Sequence, residues 1–240
     1  MGAELTTDWR GSVSSALEWW ADAGVDTLAA DEPRDWLAPP VVKREAAAAP
    51  AVAEPVEEKL PETLEAFLEW RLGEAAPEAD WMSPRVGPAG PADSTLMILT
   101  DMPEADDEAA LLGGAAGRLF DRMLAAIGES RDSVHLASLA VARPIGGRIP
   151  PEQEARLISL ALHHIALVSP AKLLVLGQSA ERVIEAAGGS ASLNGIRDIK
   201  HSGGNTDAVM IRHPRFLLER PAVKADAWRQ LLLLSRGTSQ

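Results

Sequence analysis

From Thr95 onward, short apolar runs alternate with longer stretches of helical periodicity. The run Thr95–Leu99 (TLMIL) is ended by Asp101 and Pro103, the pattern of a strand buried on both faces. Val134–Leu139, Leu173–Leu176 and Asp207–Ile211 read as three more strands. Between them, residues 114–127 place Leu119, Met123, Leu124 and Ile127 on one helical face, with Gly128 as the stop. Pro150 and Pro151 open a helix over 152–168 whose stripe includes Leu157, Ala161, Leu162, Ile165 and Val168. Gly177 leads into a helix at 178–187, and 222–235 forms the last. This alternation predicts an α/β fold, three layers α/β/α around a mainly parallel four-stranded central sheet. Ligands of such sheets bind beyond the carboxyl ends of the strands. Functional residues are therefore expected after Leu99, Leu139, Leu176 and Ile211.

The first ninety residues follow another pattern. Residues 12–22 predict a helix with Val13, Ala16, Leu17 and Trp20 at helical spacing. Residues 38–61 are rich in Ala, Pro and Glu, and Pro39, Pro40, Pro50, Pro55 and Pro61 forbid a continuous helix there. The segment reads as a semi-rigid linker. A helix over 62–72 carries Leu64, Phe67, Leu68 and Leu72 on one face, and 73–94 reads as loop. The predicted organisation is a helical N-terminal segment (1–37), a linker (38–61) and an α/β domain (62–240, core 91–235). Six of the seven Trp precede residue 82, so the N-terminal part is expected to dock through aromatic anchors.

Composition narrows the chemistry. There is no cysteine, which excludes disulfides, thiolate metal sites, a cysteine nucleophile and a cysteine-held cluster. No signal peptide and no run of eighteen apolar residues is visible, so the expectation is a cytoplasmic protein without a membrane partner. The formal charge is −12, which taken whole argues against nucleic acid. The distribution reverses that reading locally: residues 1–129 carry a net −17 and residues 130–240 a net +5. Residues 130–240 can face an anion, or form a mildly basic solvated surface.

At the first strand end, Asp101 can act as a base, as a carboxylate opposing positive charge, or simply as a turn or helix-capping acid. The acidic run that follows, Glu104 to Glu108, is expected to be solvated and to hold no metal. After the second strand, Arg143 and Arg148 flank Gly146 and Gly147, suited to an anion or to a plain surface loop. Gly177, Gln178 and Ser179 enter a helix at the third end, a weak phosphate cradle that leaves a nucleotide-using enzyme open. The fourth end is richest: Arg212, His213, Pro214, Arg215 and Phe216, where His213 can donate to a developing oxyanion or serve only a structural role. His163 and His164 are expected at the surface or an edge, and His201 in a Gly/Ser/Asn loop over a ligand.

In sequence order, these pieces resemble the uracil-DNA glycosylase superfamily, and within it the bacterial family-four enzymes. Leu99-Thr-Asp101-Met-Pro103 with Gly114-Ala-Ala-Gly117-Arg-Leu-Phe resembles the first motif and its helix. Ser133–Leu139 resembles the second strand, Arg143-Pro144 with Arg148 the Arg-Pro loop, and Leu176-Gly177-Gln178 the third strand end. His213-Pro214-Arg-Phe-Leu-Leu with Arg220, Pro221, Lys224 and Trp228 resembles the second motif and closing helix.

The resemblance implies a base-flipping hydrolase of base-excision repair that cleaves the N-glycosidic bond of a deaminated base. It implies catalytic roles for Asp101 and His213, base contacts by Pro103, Leu112 and Ser138, and DNA contacts by Arg143, Arg148, Gln178, Ser179, Arg212 and Arg215. Asp101 stands where the family has Glu, Glu104 where it has Gly, Leu112 where it stacks a Phe, and Ser138 where it reads uracil with Asn. The family's iron–sulfur cysteines are absent, Leu157 standing at one such place, so no cofactor is expected. A degenerate, non-catalytic member serving as a DNA- or protein-binding scaffold is the alternative expectation. On either reading DNA would meet the basic cleft within 130–240, and the acidic N-terminal arm would lie over that cleft or recruit a repair protein.

Overall fold

The computed structural model describes residues 9–22, 60–191 and 195–236. The chain divides into two compact units after Val56. In the first, helix α1 (Trp9–Asp22) sets the rings of Trp19 and Trp20 edge to face, 5.2 Å apart. The Pro-rich stretch and Trp36 lie outside the described residues.

The second unit opens with α2 (Leu64–Leu72), capped by the Thr63 hydroxyl, which accepts from the Ala66 N–H at 3.4 Å. It continues with β1 (Leu96–Thr100), α3 (Gly114–Ala126), β2 (His135–Ser138), α4 (Pro151–Val168), β3 (Lys172–Leu176) and α5 (Gln178–Ala186). Then follow β4 (Ser190–Ala191), β5 (Arg197–His201), β6 (Gly204–Ile211), α6 (Pro214–Glu219) and α7 (Lys224–Arg236). The strand order is β2-β1-β3-β6-β5-β4. The first four are mutually parallel, and β5 and β4 continue antiparallel.

The side-chain alternation of the strands builds the three layers. Met97 and Leu99 of β1, with Leu173 and Val175 of β3, face a cluster that includes Phe67, Leu157, Ile165 and Val183. Leu96, Ile98, Leu174 and Leu176 point the other way, into a cluster with Phe120, Leu124, Leu217 and Leu231. Both faces are covered, which is why these strands read as unbroken apolar runs.

Three sequence expectations need correction. The sheet has five strands of four or more residues plus the two-residue β4, not four strands. The extra β5 (RDIKH) carries one apolar side chain, Ile199, so it gives no apolar run to detect. Residues 201–206 are the β5–β6 hairpin, with His201 Nε2 2.8 Å from Thr206 Oγ1. The Ser169 hydroxyl at the end of α4 donates to the Gly203 carbonyl, placing the hairpin at the amino ends of the parallel strands, away from any ligand site beyond their carboxyl ends. Finally, His164 is not a surface residue: it is buried, its Nε2 3.0 Å from Nε2 of buried His135.

This imidazole pair has a measurable consequence. His135 Nδ1 lies 3.1 Å from the Pro91 carbonyl, so it carries the proton there and its Nε2 accepts from His164. Burial lowers both pKa values, that of His164 to about 3, with neighbouring His135 and Arg71 adding to the shift. The unfolded chain then binds more protons than the native one below pH ~6.5, so stability falls with falling pH in that window. Between pH 6.5 and 5, His164 accounts for about 2 kcal/mol. Thermal melts of His164→Asn are expected to show a shallower loss of Tm over this range; an unchanged slope would assign the acid lability elsewhere.

Residues 60–91 are fastened to the sheet. Trp70 and Trp81 pack against the Phe67 cluster as the expected aromatic anchors, whereas Trp19 and Trp20 of the first unit, expected to dock likewise, are exposed. Backbone bonds Val86 N–H to Val141 O (2.7 Å) and the reciprocal Ala89–Leu136 pair cover the edge of β2. Buried Arg71 and Glu78 form a bidentate ion pair, with Nη2 to Oε1 at 2.6 Å. Arg71 also donates to the Leu139 carbonyl at 2.9 Å, and Glu78 accepts the Val141 N–H at 3.1 Å.

Candidate functional site

Chain order leaves β1 toward β2 on one side and β3 on the other, so the carboxyl ends of β1 and β3 flank a topological switch point. Asp101 follows β1, and Gly177 follows β3 at the N-terminus of α5. The Asp101 carboxylate turns into that helix end: Oδ1 accepts the Ala180 N–H at 2.6 Å, and the Ser179 N–H also points at the group. The capping reading of Asp101 therefore holds, for a helix 79 residues distant rather than its own turn. Burial raises the Asp101 pKa, while the two N–H groups and Arg215 oppose the rise. Gly177 has φ +106, and a Cβ there would lie 2.3 Å from Asp101 Oδ2. Glycine is required by both conformation and space.

His213 caps α6, its Nδ1 accepting the Arg215 N–H at 3.2 Å. The ring is buried and its pKa is lowered to about 4, by burial first and by Arg215 second. It is neutral near pH 7, with the proton on Nε2. Glu104 Oε1 lies 3.5 Å from that nitrogen, and Glu104 Oε2 accepts from Arg215 Nη1 at 2.8 Å. With a neutral ring, the His213–Glu104 contact is a long hydrogen-bond approach rather than an ion pair.

Asp101 and His213 line one cleft of about 280 Å³, together with Met102, Glu104, Arg143, Arg148, Ser179 and Arg215. Arg182 and Glu154 pair across its rim. A second lobe of about 340 Å³ shares Asp101, Ser179 and His213 and adds Gln178, Arg212 and Phe216. Arg143 is held by Nη1 donating to the Pro103 carbonyl at 2.9 Å, and by its backbone, which exchanges bonds with the Ser83 hydroxyl at 2.9 and 2.6 Å. Exposed Arg148 has no partner among the described residues, and Arg212 lies over the Phe216 ring at 5.8 Å.

Of the eleven residues singled out in the sequence, eight line these lobes: Asp101, Arg143, Arg148, Gln178, Ser179, Arg212, His213 and Arg215. Three do not. Pro103 is buried and reaches the site only through its carbonyl on Arg143. Leu112 is buried in the cluster with Phe120, at φ +54. That backbone is held from both sides, its N–H bonding Asp107 Oδ2 (2.8 Å) and its carbonyl accepting from Arg131 (2.6 Å). Ser138 is buried beside Phe67 and His164, and its hydroxyl has no partner among the described residues.

The sequence reading also missed the organiser of this loop. Buried Asp107 accepts the N–H groups of Glu104 (2.9 Å), Leu112 (2.8 Å) and Gly113 (2.7 Å). In an acidic run nothing local distinguishes it from its solvated neighbours. Arg182 was passed over because its site partner, Glu154, comes from another helix.

An α/β/α protein that gathers an acid, an imidazole and arginines beyond the carboxyl ends of its parallel strands sets them where such sheets bind their ligands. The family model of the Uracil DNA glycosylase superfamily matches residues 88–232, and the chain belongs to that superfamily. A type-4 uracil-DNA glycosylase of Archaeoglobus fulgidus is 27% identical over 120 residues, covering 47% of this chain and 60% of the relative. The chain thus spans less than two thirds of that relative's length. A cysteine-held iron–sulfur cluster does not fit this chain: no thiolate exists to bind it, and Leu157 is fully buried in apolar packing. Among the described residues, no helix is long and apolar enough to cross a membrane.

Proposed function

We propose that the protein is a DNA glycosylase that hydrolyses the N-glycosidic bond of a deaminated base, as part of base-excision repair. The observation that carries this reading is the convergence of Asp101 and His213 on one cleft. In the reaction, the bond between C1′ and the base nitrogen breaks, water adds to C1′, and the base leaves with a proton. The Asp101 carboxylate opposes the positive charge that develops on the sugar, or orients the water. The neutral His213 Nε2–H donates to the base oxygen as negative charge builds there. Arg143, Arg148, Arg212 and Arg215, with Gln178 and Ser179, hold the DNA backbone from both lobes. These steps need only the chain's own residues and water.

With Leu112 and Ser138 outside the cleft, neither a stacking platform nor an edge reader comes from the expected positions. A base stack is worth about 1–3 kcal/mol and an edge contact about as much. Turnover is therefore expected to be slow and discrimination between bases weak. Equimolar protein incubated with oligonucleotides carrying uracil, hypoxanthine or xanthine is expected to release free base, detected by mass spectrometry. Absence of release from all three contradicts the reading.

One observation favours a second reading. Glu104 sits between His213 and Arg215, on the very groups that a base oxygen and a phosphate need. A non-catalytic member that binds DNA as a scaffold would show DNA binding without base release.

A further inference from the structure

Glu104 has a role that neither reading assigns. Its carboxylate places one oxygen 2.8 Å from Arg215 Nη1 and the other 3.5 Å from the His213 donor, and its side chain is 10% exposed. It is fixed there by its own backbone, since the Glu104 N–H donates to buried Asp107, which also holds Leu112 and Gly113. An anion seated on a guanidinium and an imidazole N–H, inside a cleft lined also by Arg143 and Arg148, occupies the position of a two-oxygen anionic ligand.

We infer that Glu104 is a built-in competitor for the anion subsite formed by Arg215 and His213, and that a DNA phosphodiester must displace it to bind. The inference rests on the cleft facing DNA but not on any base being cleaved. The carboxylate has two consequences. It neutralises Arg215 in the free protein, so the phosphate gains less Coulomb energy. It also makes entry selective, since only a ligand that supplies its own anion to Arg215 restores the lost ion pair.

The test is fluorescence anisotropy with a labelled oligonucleotide containing only ordinary bases, which separates this inference from the glycosylase reading. Glu104→Gln keeps the shape and removes the charge. It is expected to bind DNA about five- to tenfold more tightly than wild type. Its plot of log affinity against log salt is expected to be steeper by about one phosphate contact. Arg215→Gln alone is expected to weaken binding, because it removes the phosphate's partner and leaves the Glu104 charge unneutralised in the cleft; in the Glu104→Gln background it is expected to abolish the gain. Exposed Glu108→Gln, four residues on in the same loop, removes an equal charge and controls for the general field. The inference is overturned by unchanged affinity and salt slope in Glu104→Gln, including binding by neither protein. It is equally overturned by an equal gain in Glu108→Gln, or by a gain that survives loss of Arg215. Melting temperatures of all variants establish that the proteins compared are folded.

Discussion

Glu78→Gln is expected to lower the unfolding free energy by about 3–5 kcal/mol, the usual cost of leaving one member of a buried ion pair without its partner. The pair it breaks is buried on both sides, with side-chain exposures of 6% for Arg71 and 0% for Glu78. The damage extends beyond the pair, because Glu78 also holds the Val141 N–H and Arg71 the Leu139 carbonyl. These bonds tie the segment after α2 to the chain leaving β2, two residues before Arg143 enters the cleft. Urea unfolding of the variant is therefore expected to show a lower midpoint at an unchanged slope. The double replacement Arg71→Met with Glu78→Leu removes both charges and is expected to recover much of the loss, less the cost of the orphaned Val141 N–H. A double variant as unstable as the single would mean that the backbone bonds, not the charge, dominate.

The second large effect is expected at Gly177. Alanine there must adopt φ +106, at a cost of about 1–3 kcal/mol, and its Cβ must displace the Asp101 carboxylate 2.3 Å away. Asp101 then leaves the N-terminus of α5, with the loss of a positioned group that commonly costs on the order of a hundredfold in rate. Gly128→Ala provides the comparison. Gly128 has φ +83 but no atom within 4 Å of an added Cβ, so this substitution carries backbone strain without a clash. Single-turnover base release is expected to collapse in Gly177→Ala and to persist in Gly128→Ala, although both melt earlier than wild type. Equal activity in the two would mean that the Asp101 position is not set by Gly177.

The parallel core was legible because β1 and β3 are buried on both faces and leave continuous apolar runs, while α3 and α4 keep strict helical stripes. The strand ends then located Asp101, Arg143, Gln178 and His213 without any knowledge of contacts. What stayed hidden depends on pairs distant in sequence. The Glu104–Arg215 bond spans 111 residues, and Asp101 caps a helix 79 residues away. Leu112 was misplaced because Asp107 and Arg131 turn its backbone through a positive φ and send the side chain into the core, which motif alignment does not register. His164 was misread for a similar reason: its polarity suggests an edge, but a second buried imidazole satisfies it. The polar strand β5 owes its place to pairing with β6 rather than to its own pattern.

The presence of Asp101 and His213 in the lining of one cleft carries the central assignment. Its most direct test is the single-turnover rate of uracil release from an oligonucleotide by wild type, Asp101→Asn and His213→Ala, each in excess over DNA. The expected result is measurable release by wild type and a fall of about a hundredfold or more in either variant, with DNA binding retained. Release at the same rate in all three proteins, or none by wild type where the same protein binds DNA, would contradict the assignment.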